Sequence, residues 1–221
     1  MNGWQTYGKW NNSPSVGTQL RWSPSEAVTV FGNVYGGTDT KGQEDRVRVH
    51  HDNSILVRYF DEPTSGLLSK AAFSLNNHIG FESGGRDATG AKLPGPSDAQ
   101  MVGTSLVHRA WFSHNHLALS IRGELFSNPT AYLAQFPPPG FASGPGTKPL
   151  QAWGLTGTFD VIPTDFVALR FEGLYRKSNV PYFAGSAGTT SPDGFQPTPA
   201  GYVPDTVKDQ ALFVIAANFR L

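Results

Sequence analysis

Residues 166–176 read Phe-Val-Ala-Leu-Arg-Phe-Glu-Gly-Leu-Tyr-Arg, and this stretch sets the fold class. Val167, Leu169, Phe171, Gly173 and Tyr175 fall on one parity, Arg170, Glu172 and Arg176 on the other. A period of two puts the apolar set on one face of an extended strand and the charged set on the opposite face. The same rhythm recurs on either side. Leu117, Leu119, Ile121 and Leu125 oppose Ser120, Arg122 and Glu124. Phe73, Leu75, Ile79 and Phe81 oppose Lys70, Ser74, Asn76, His78 and Glu82. Near the end, Phe213, Ile215, Ala217 and Phe219 oppose Gln210, Asn218 and Arg220.

Extending this reading outward predicts about ten strands, near 3–9, 15–22, 27–36, 46–60, 69–83, 100–112, 117–127, 150–161, 166–177 and 208–220. The connections alternate in length. Short joints stand at Ser23-Pro24-Ser25-Glu26, Glu62-Pro63-Thr64, His114-Asn115-His116 and Pro163-Thr164-Asp165. Between them lie Gly/Pro/Ser-rich stretches at about 37–45, 84–99, 128–149 and 178–207. The last two exceed the roughly 12–15 residues normal for a loop in a compact domain. Proline excludes long helices within them. Strict short–long order is the habit of membrane barrels, with tight turns at one rim and long loops at the other.

Composition agrees. Charged residues are 15%, aromatic residues 12%, and Gly (25) and Pro (17) are abundant. An ordinary soluble domain carries about 25% charge, yet a mean hydropathy of −0.29 is not that of a helical membrane protein. No apolar run approaches the ~20 residues a spanning helix needs; the longest is Ala211 to Ala217. Lys+Arg and Asp+Glu are both 17, so no basic surplus draws the chain to nucleic acid. The chain has no cysteine, which excludes disulfides, thiolate metal sites and a cysteine nucleophile. The start, MNGWQTYGKWNN, carries no apolar leader. A barrel must be exported, so either a leader has been removed or Met1 lies within a longer gene.

Alternation alone does not say which face is wet, but two features favour an apolar outside. Ten strands each with an apolar face would need one very large core. Aromatics also gather near strand ends: Trp22, Tyr59, Phe112, Phe166 and Phe219 at the short-turn side, Tyr35, Phe81, Phe126 and Tyr175 toward the loops. Two aromatic girdles bounding an apolar band suit a membrane interface. The expected fold is therefore all-β: an antiparallel up-and-down transmembrane β-barrel, one domain over residues 1–221, whole or the C-terminal part of a larger barrel. Its lumen is expected to be lined by Arg21, Arg58, Lys70, His78, Glu82, Arg109, Arg122, Glu124, Asp160, Arg170, Glu172, Arg176 and Arg220. In strand 100–112, an inward Arg109 turns His108 toward lipid, and a bulge there would relieve it.

Enzyme and metal readings find little support. His50 and His51 are adjacent on a strand and point to opposite faces. His114 and His116 sit in a tight turn without a neighbouring carboxylate. Glu172 with Arg170, and Glu124 with Arg122, read as compensated ion pairs rather than catalytic acids. No Ser-His-Asp grouping can be assembled by spacing. GPGTKP at 144–149 lacks the spacing of a phosphate loop. No catalytic residue, metal or cofactor is expected.

Several segments carry a family resemblance: NGW at the start, WSPSEAVTVFGNVYGG, FSHNHLALSIRGELFSNP, IPTDFVALRFEGLYRKSN and the ending KDQALFVIAANFRL. They resemble the OmpL-like β-barrel porins. Such proteins show a Pro-Ser/Thr-Asp/Glu turn before an alternating strand, here Pro24-Ser25-Glu26 and Pro163-Thr164-Asp165. They show an Arg-Gly-Glu strand ending in Asn/Asp-Pro, here Arg122-Gly123-Glu124 with Asn128-Pro129, and a last strand opened by Lys208-Asp209-Gln210. The resemblance implies a Gram-negative outer membrane and a pore-forming role, with outer-membrane lipid as solvent. It also implies delivery by the barrel-assembly machinery through the C-terminal strand. Members are usually longer, and this chain ends on Leu221 with Phe219 two places earlier, where many barrels end on an aromatic.

The expected activity is passive diffusion of small hydrophilic solutes. Nine lumen cations (Arg21, Arg48, Arg58, Lys70, Arg109, Arg122, Arg170, Arg176, Arg220) against five anions (Asp52, Glu82, Glu124, Asp160, Glu172) predict a mild anion preference. A ten-strand barrel is narrow enough for side chains to fill much of it. The rival reading is thus a non-conducting structural or adhesion barrel acting through its loops. An enzyme at the loop rim or a soluble lectin-like sandwich comes after that.

Overall fold

A computed structural model of the chain describes residues 12–38, 45–86, 89–92, 100–130, 132, 150–188, 200–201, 203 and 205–219. Among them there is no helix. Nine strands form one antiparallel meander in chain order: β1 (Val16–Ser25), β2 (Val28–Gly37), β3 (Val47–Asp61), β4 (Leu68–Ser83), β5 (Gln100–Phe112), β6 (Leu117–Asn128), β7 (Leu150–Thr164), β8 (Val167–Ser178) and β11 (Asp209–Phe219). Two short strands, β9 (Phe183–Ala184) and β10 (Thr206–Val207), pair inside the connection between β8 and β11. Among the described residues, β1 and β11 are the edges of the sheet and do not pair with each other.

The predicted strand at 3–9 lies outside the described residues. The other nine predictions coincide with observed strands to within a few residues. Alternation marks the middle of a strand well and its ends poorly, because turn residues extend the ladder by local hydrogen bonding. The β9–β10 hairpin carries no alternation long enough to betray it. The short–long order of connections holds throughout the meander.

Each register irregularity falls near the short-turn rim: between Trp22 and Ser25, Arg58 and Phe60, Leu68 and Lys70, and Val161 and Thr164. Bulges there add twist where the ladder must turn back on itself. Ser69, the extra residue on β4, donates through its hydroxyl to the Ser65 carbonyl at 3.0 Å and accepts from the Asn115 amide at 3.3 Å. The β5–β6 turn places Ser113, His114 and Asn115 in succession at φ of 50, 58 and 70°. Such left-handed residues reverse the chain tightly without a glycine.

Antiparallel partners share a face, so the registers define rows running across the whole sheet. One row joins Arg21, Phe31, Ser54, Asn76, Ser105, Glu124, Gly154, Arg176 and Gln210. The adjacent row on the other face joins Trp22, Val30, Ile55, Leu75, Leu106, Gly123, Leu155, Tyr175 and Ala211. Burial decides which face is inside. Ser120, Thr156, Thr158 and Asp160 are buried, whereas Leu106 (54% exposed), Ile121, Leu125, Leu155 and Phe213 (69% exposed) stand on the surface. Soluble proteins do the reverse, and an exposed apolar face of this extent far exceeds the few hundred Å² a soluble monomer tolerates. The polar face is the enclosed, inner one.

No bulge interrupts β5 against β6, whose register runs unbroken from Val102 to Phe112. His108 does face outward, and Tyr59 makes this tolerable. Its hydroxyl lies 2.7 Å from His108 Nε2 and its ring 6.0 Å from the imidazole.

Candidate functional site

The inner wall is the candidate site, and β-strand parity places its side chains. Arg21, Arg58, Lys70, His78, Glu82, Arg109, Arg122, Glu124, Asp160, Arg170, Glu172 and Arg176 all lie on the inner face. Arg220 lies outside the described residues. The wall divides by depth into three zones.

At the short-turn end Asp160, 2% exposed, takes Arg170 Nε at 2.8 Å and the Arg109 guanidinium at 2.6 Å. Arg109 reaches from β5 across β6 to β7, donating to the Ser120 hydroxyl of β6 at 3.3 Å, with its guanidinium 4.8 Å from the Trp111 ring centroid. Lys70 lies against the same ring at 5.7 Å. At mid-depth Arg122 approaches Glu124 at 3.4 Å and donates to the Thr156 hydroxyl at 3.2 Å. The Thr158 hydroxyl donates to Glu172 at 3.0 Å, and Arg176 Nε donates to the Gln210 side-chain oxygen at 3.0 Å. Arg21 stacks over Phe31 at 5.6 Å, and Arg176 over Phe183 at 4.6 Å.

At the loop end Glu82 bridges Arg46 at 2.9 Å and Arg48 at 2.5 Å. Tyr132, from the β6–β7 connection, packs onto this part of the wall and is only 1% exposed. Its ring lies 4.7 Å from the Arg48 guanidinium and stacks on His50 at 5.9 Å and 17°. Gly80, opposite His50, makes the room: a Cβ there would stand 2.3 Å from the Tyr132 ring. His50 Nε2 lies 2.9 Å from Asp52 Oδ1, and His78 Nδ1 contacts the same oxygen. These three are the one metal-capable group of three or more among the described residues. Adjacent-residue reasoning about His50 and His51 missed it. The legible signal was His50-x-Asp52 on one strand opposite His78 on the next, which requires the β3–β4 register. In the β5–β6 turn, His116 Nδ1 is turned to the Ile162 carbonyl at 2.8 Å.

The predicted girdle separates by parity. Trp22, Tyr59, Phe81, Phe112, Tyr175 and Phe219 lie on the outer face, and Phe166 stands exposed in the β7–β8 turn. Tyr35 and Phe126 are corrected to the inner face. Tyr35 pairs with His50 and donates its hydroxyl to Ser15 at 2.9 Å, and Phe126 has the parity of Arg122 and Glu124. Both stand near strand ends, but strand parity turns them inward. Trp153, which the sequence reading passed over, takes an outer loop-side position beside Tyr175 at 5.6 Å.

The family model described as "Putative beta-barrel porin-2, OmpL-like" matches residues 1–221. No curated protein and no solved structure matches the chain.

Proposed function

The chain belongs to the OmpL-like β-barrel porin family, and on that premise we propose that it passes small hydrophilic solutes across a bacterial outer membrane, with a mild preference for anions. The carrying observation is the charge arrangement of the inner wall. Asp160 is shared by two arginines, and so is Glu82. Each such trio retains one positive charge. Arg21, Lys70 and Arg176 lie against aromatic rings, with no carboxylate in ion-pair range among the described residues. A wall of this sign raises the local concentration of small anions and repels cations. Because the excess is modest and the carboxylates Asp52, Glu124 and Glu172 interrupt it, the preference is one of degree.

Planar-bilayer recording across a KCl gradient tests this reading. The reversal potential is expected to fall on the chloride side of zero; a value on the potassium side would refute the anion preference. The same recordings, with liposome swelling in sugars, address the rival of a non-conducting barrel. That rival draws support from Tyr132, which occupies part of the inner wall. Swelling in small sugars supports the pore, and its absence with correctly folded protein supports the closed barrel.

A further inference from the structure

We propose that His50, Asp52 and His78 form a binding site for a divalent transition-metal ion of the zinc class on the inner wall, near the loop end. The site goes beyond the pore reading and stands whether or not the lumen conducts.

Strand geometry brings the donors together. His50 and Asp52 are two apart on β3 and share a face, and His78 is the direct antiparallel partner of Asp52 on β4. The donor atoms, one from each residue, all lie within 4.8 Å of one another. Spreading the close His78–Asp52 contact and drawing in the farthest donor would seat a cation roughly 2.0–2.2 Å from each, the length of zinc–nitrogen and zinc–oxygen bonds. Two imidazoles and one carboxylate are a borderline-soft donor set, which favours zinc, copper or nickel over magnesium or calcium. Three protein ligands leave a position open toward the lumen for water or a solute atom.

An independent observation points the same way. The Tyr132 hydroxyl donates to the Val49 carbonyl at 3.3 Å and lies 3.1 Å from His50 Nδ1. With Nδ1 occupied by that hydroxyl, it is Nε2 that faces Asp52 Oδ1, 2.9 Å away, and can share a cation with it. A cation bound there would displace the proton of the Nε2–Oδ1 hydrogen bond, as metal binding to histidine does. A partner on the second ring nitrogen is also how metal-binding histidines are oriented. Glu82, shared by Arg46 and Arg48, offsets one of the two positive charges nearby. Gly103, opposite His78, adds no side chain of its own beside the imidazole.

Titration calorimetry on the tag-free full chain folded in detergent, with zinc chloride and a magnesium chloride control, tests the site. Saturable zinc binding of one ion per chain is expected, with no magnesium heat. H50A, D52N and H78A should each weaken it by about 10-fold or more. H51A, one residue away on the outer face, should leave it unchanged. Absence of saturable zinc binding overturns the proposal, as does binding that survives H78A and D52N or that H51A also abolishes. Heat-modifiable electrophoretic mobility reports whether each variant is folded. Cobalt substitution in the unmutated chain reads the site without any variant: a ligand-field spectrum of nitrogen–oxygen coordination supports it, and the spectrum of the aquo ion alone refutes it.

Discussion

His108 points outward because its parity on β5 allows nothing else once Arg109 is committed to the inner wall. Tyr59 reaches it from β3, across β4 and beside Phe73 at 6.4 Å, so the hydrogen bond spans strands that are not neighbours. A polar ring in contact with lipid and without a partner costs about 1–3 kcal/mol. Tyr59→Phe should therefore lower the stability of the folded protein by about 1–2 kcal/mol, read as a lower urea midpoint in lipid vesicles. His108→Leu in the same background should recover most of it. A double variant no more stable than Tyr59→Phe alone would show that the pair does not act as described. The sequence marked His108 as the awkward residue of its strand, but the relief came from a partner that pairing pattern cannot reveal. The His50, Asp52 and His78 trio was hidden for a related reason. Residues two apart are legible in the sequence, whereas the third member depends on which residue of β4 faces Asp52.

Strands were the most legible elements, since a period of two leaves its mark wherever one face is apolar and the other is not. Strand ends were less so, and the bulges at the short-turn rim left no mark in composition. Nor did the β6–β7 connection, rich in Gly and Pro, disclose that Tyr132 folds back onto β3 and β4. Gly80 is the element-level counterpart of that contact. In Gly80→Val the side chain would occupy the space of the Tyr132 ring, with its Cβ 2.3 Å from ring carbons. Tyr132, nearly inaccessible at 1% exposure, should then become reactive to tetranitromethane. Nitration of its peptide, followed by mass spectrometry, should rise several-fold over the unsubstituted chain. Equal yields would mean that Gly80 does not set the position of this connection.

For the molecule as a whole, the decisive question was which face is wet, and alternation is symmetric on that point. Exposure of the apolar face, ion pairs on the enclosed face and the family match together break the symmetry. Leu106 and Ser105 are neighbours on β5 with opposite parity, and they make a direct comparison. Leu106→Arg should cost about 2–4 kcal/mol if it meets mid-bilayer lipid. Ser105→Arg, opposite Glu124 on the inner wall, should change stability by about 1 kcal/mol or less. Urea unfolding from vesicles measures both, and equal losses would contradict the assignment of faces. The two edges of the sheet carry a further consequence. Along β1 and β11 one side of the backbone ladder has no strand partner among the described residues, and each unmet amide in hydrocarbon costs several kcal/mol. In hydrocarbon these two edges are stable only together with whatever meets their amides, so the cost of membrane entry falls on the outermost strands rather than on the seven between them.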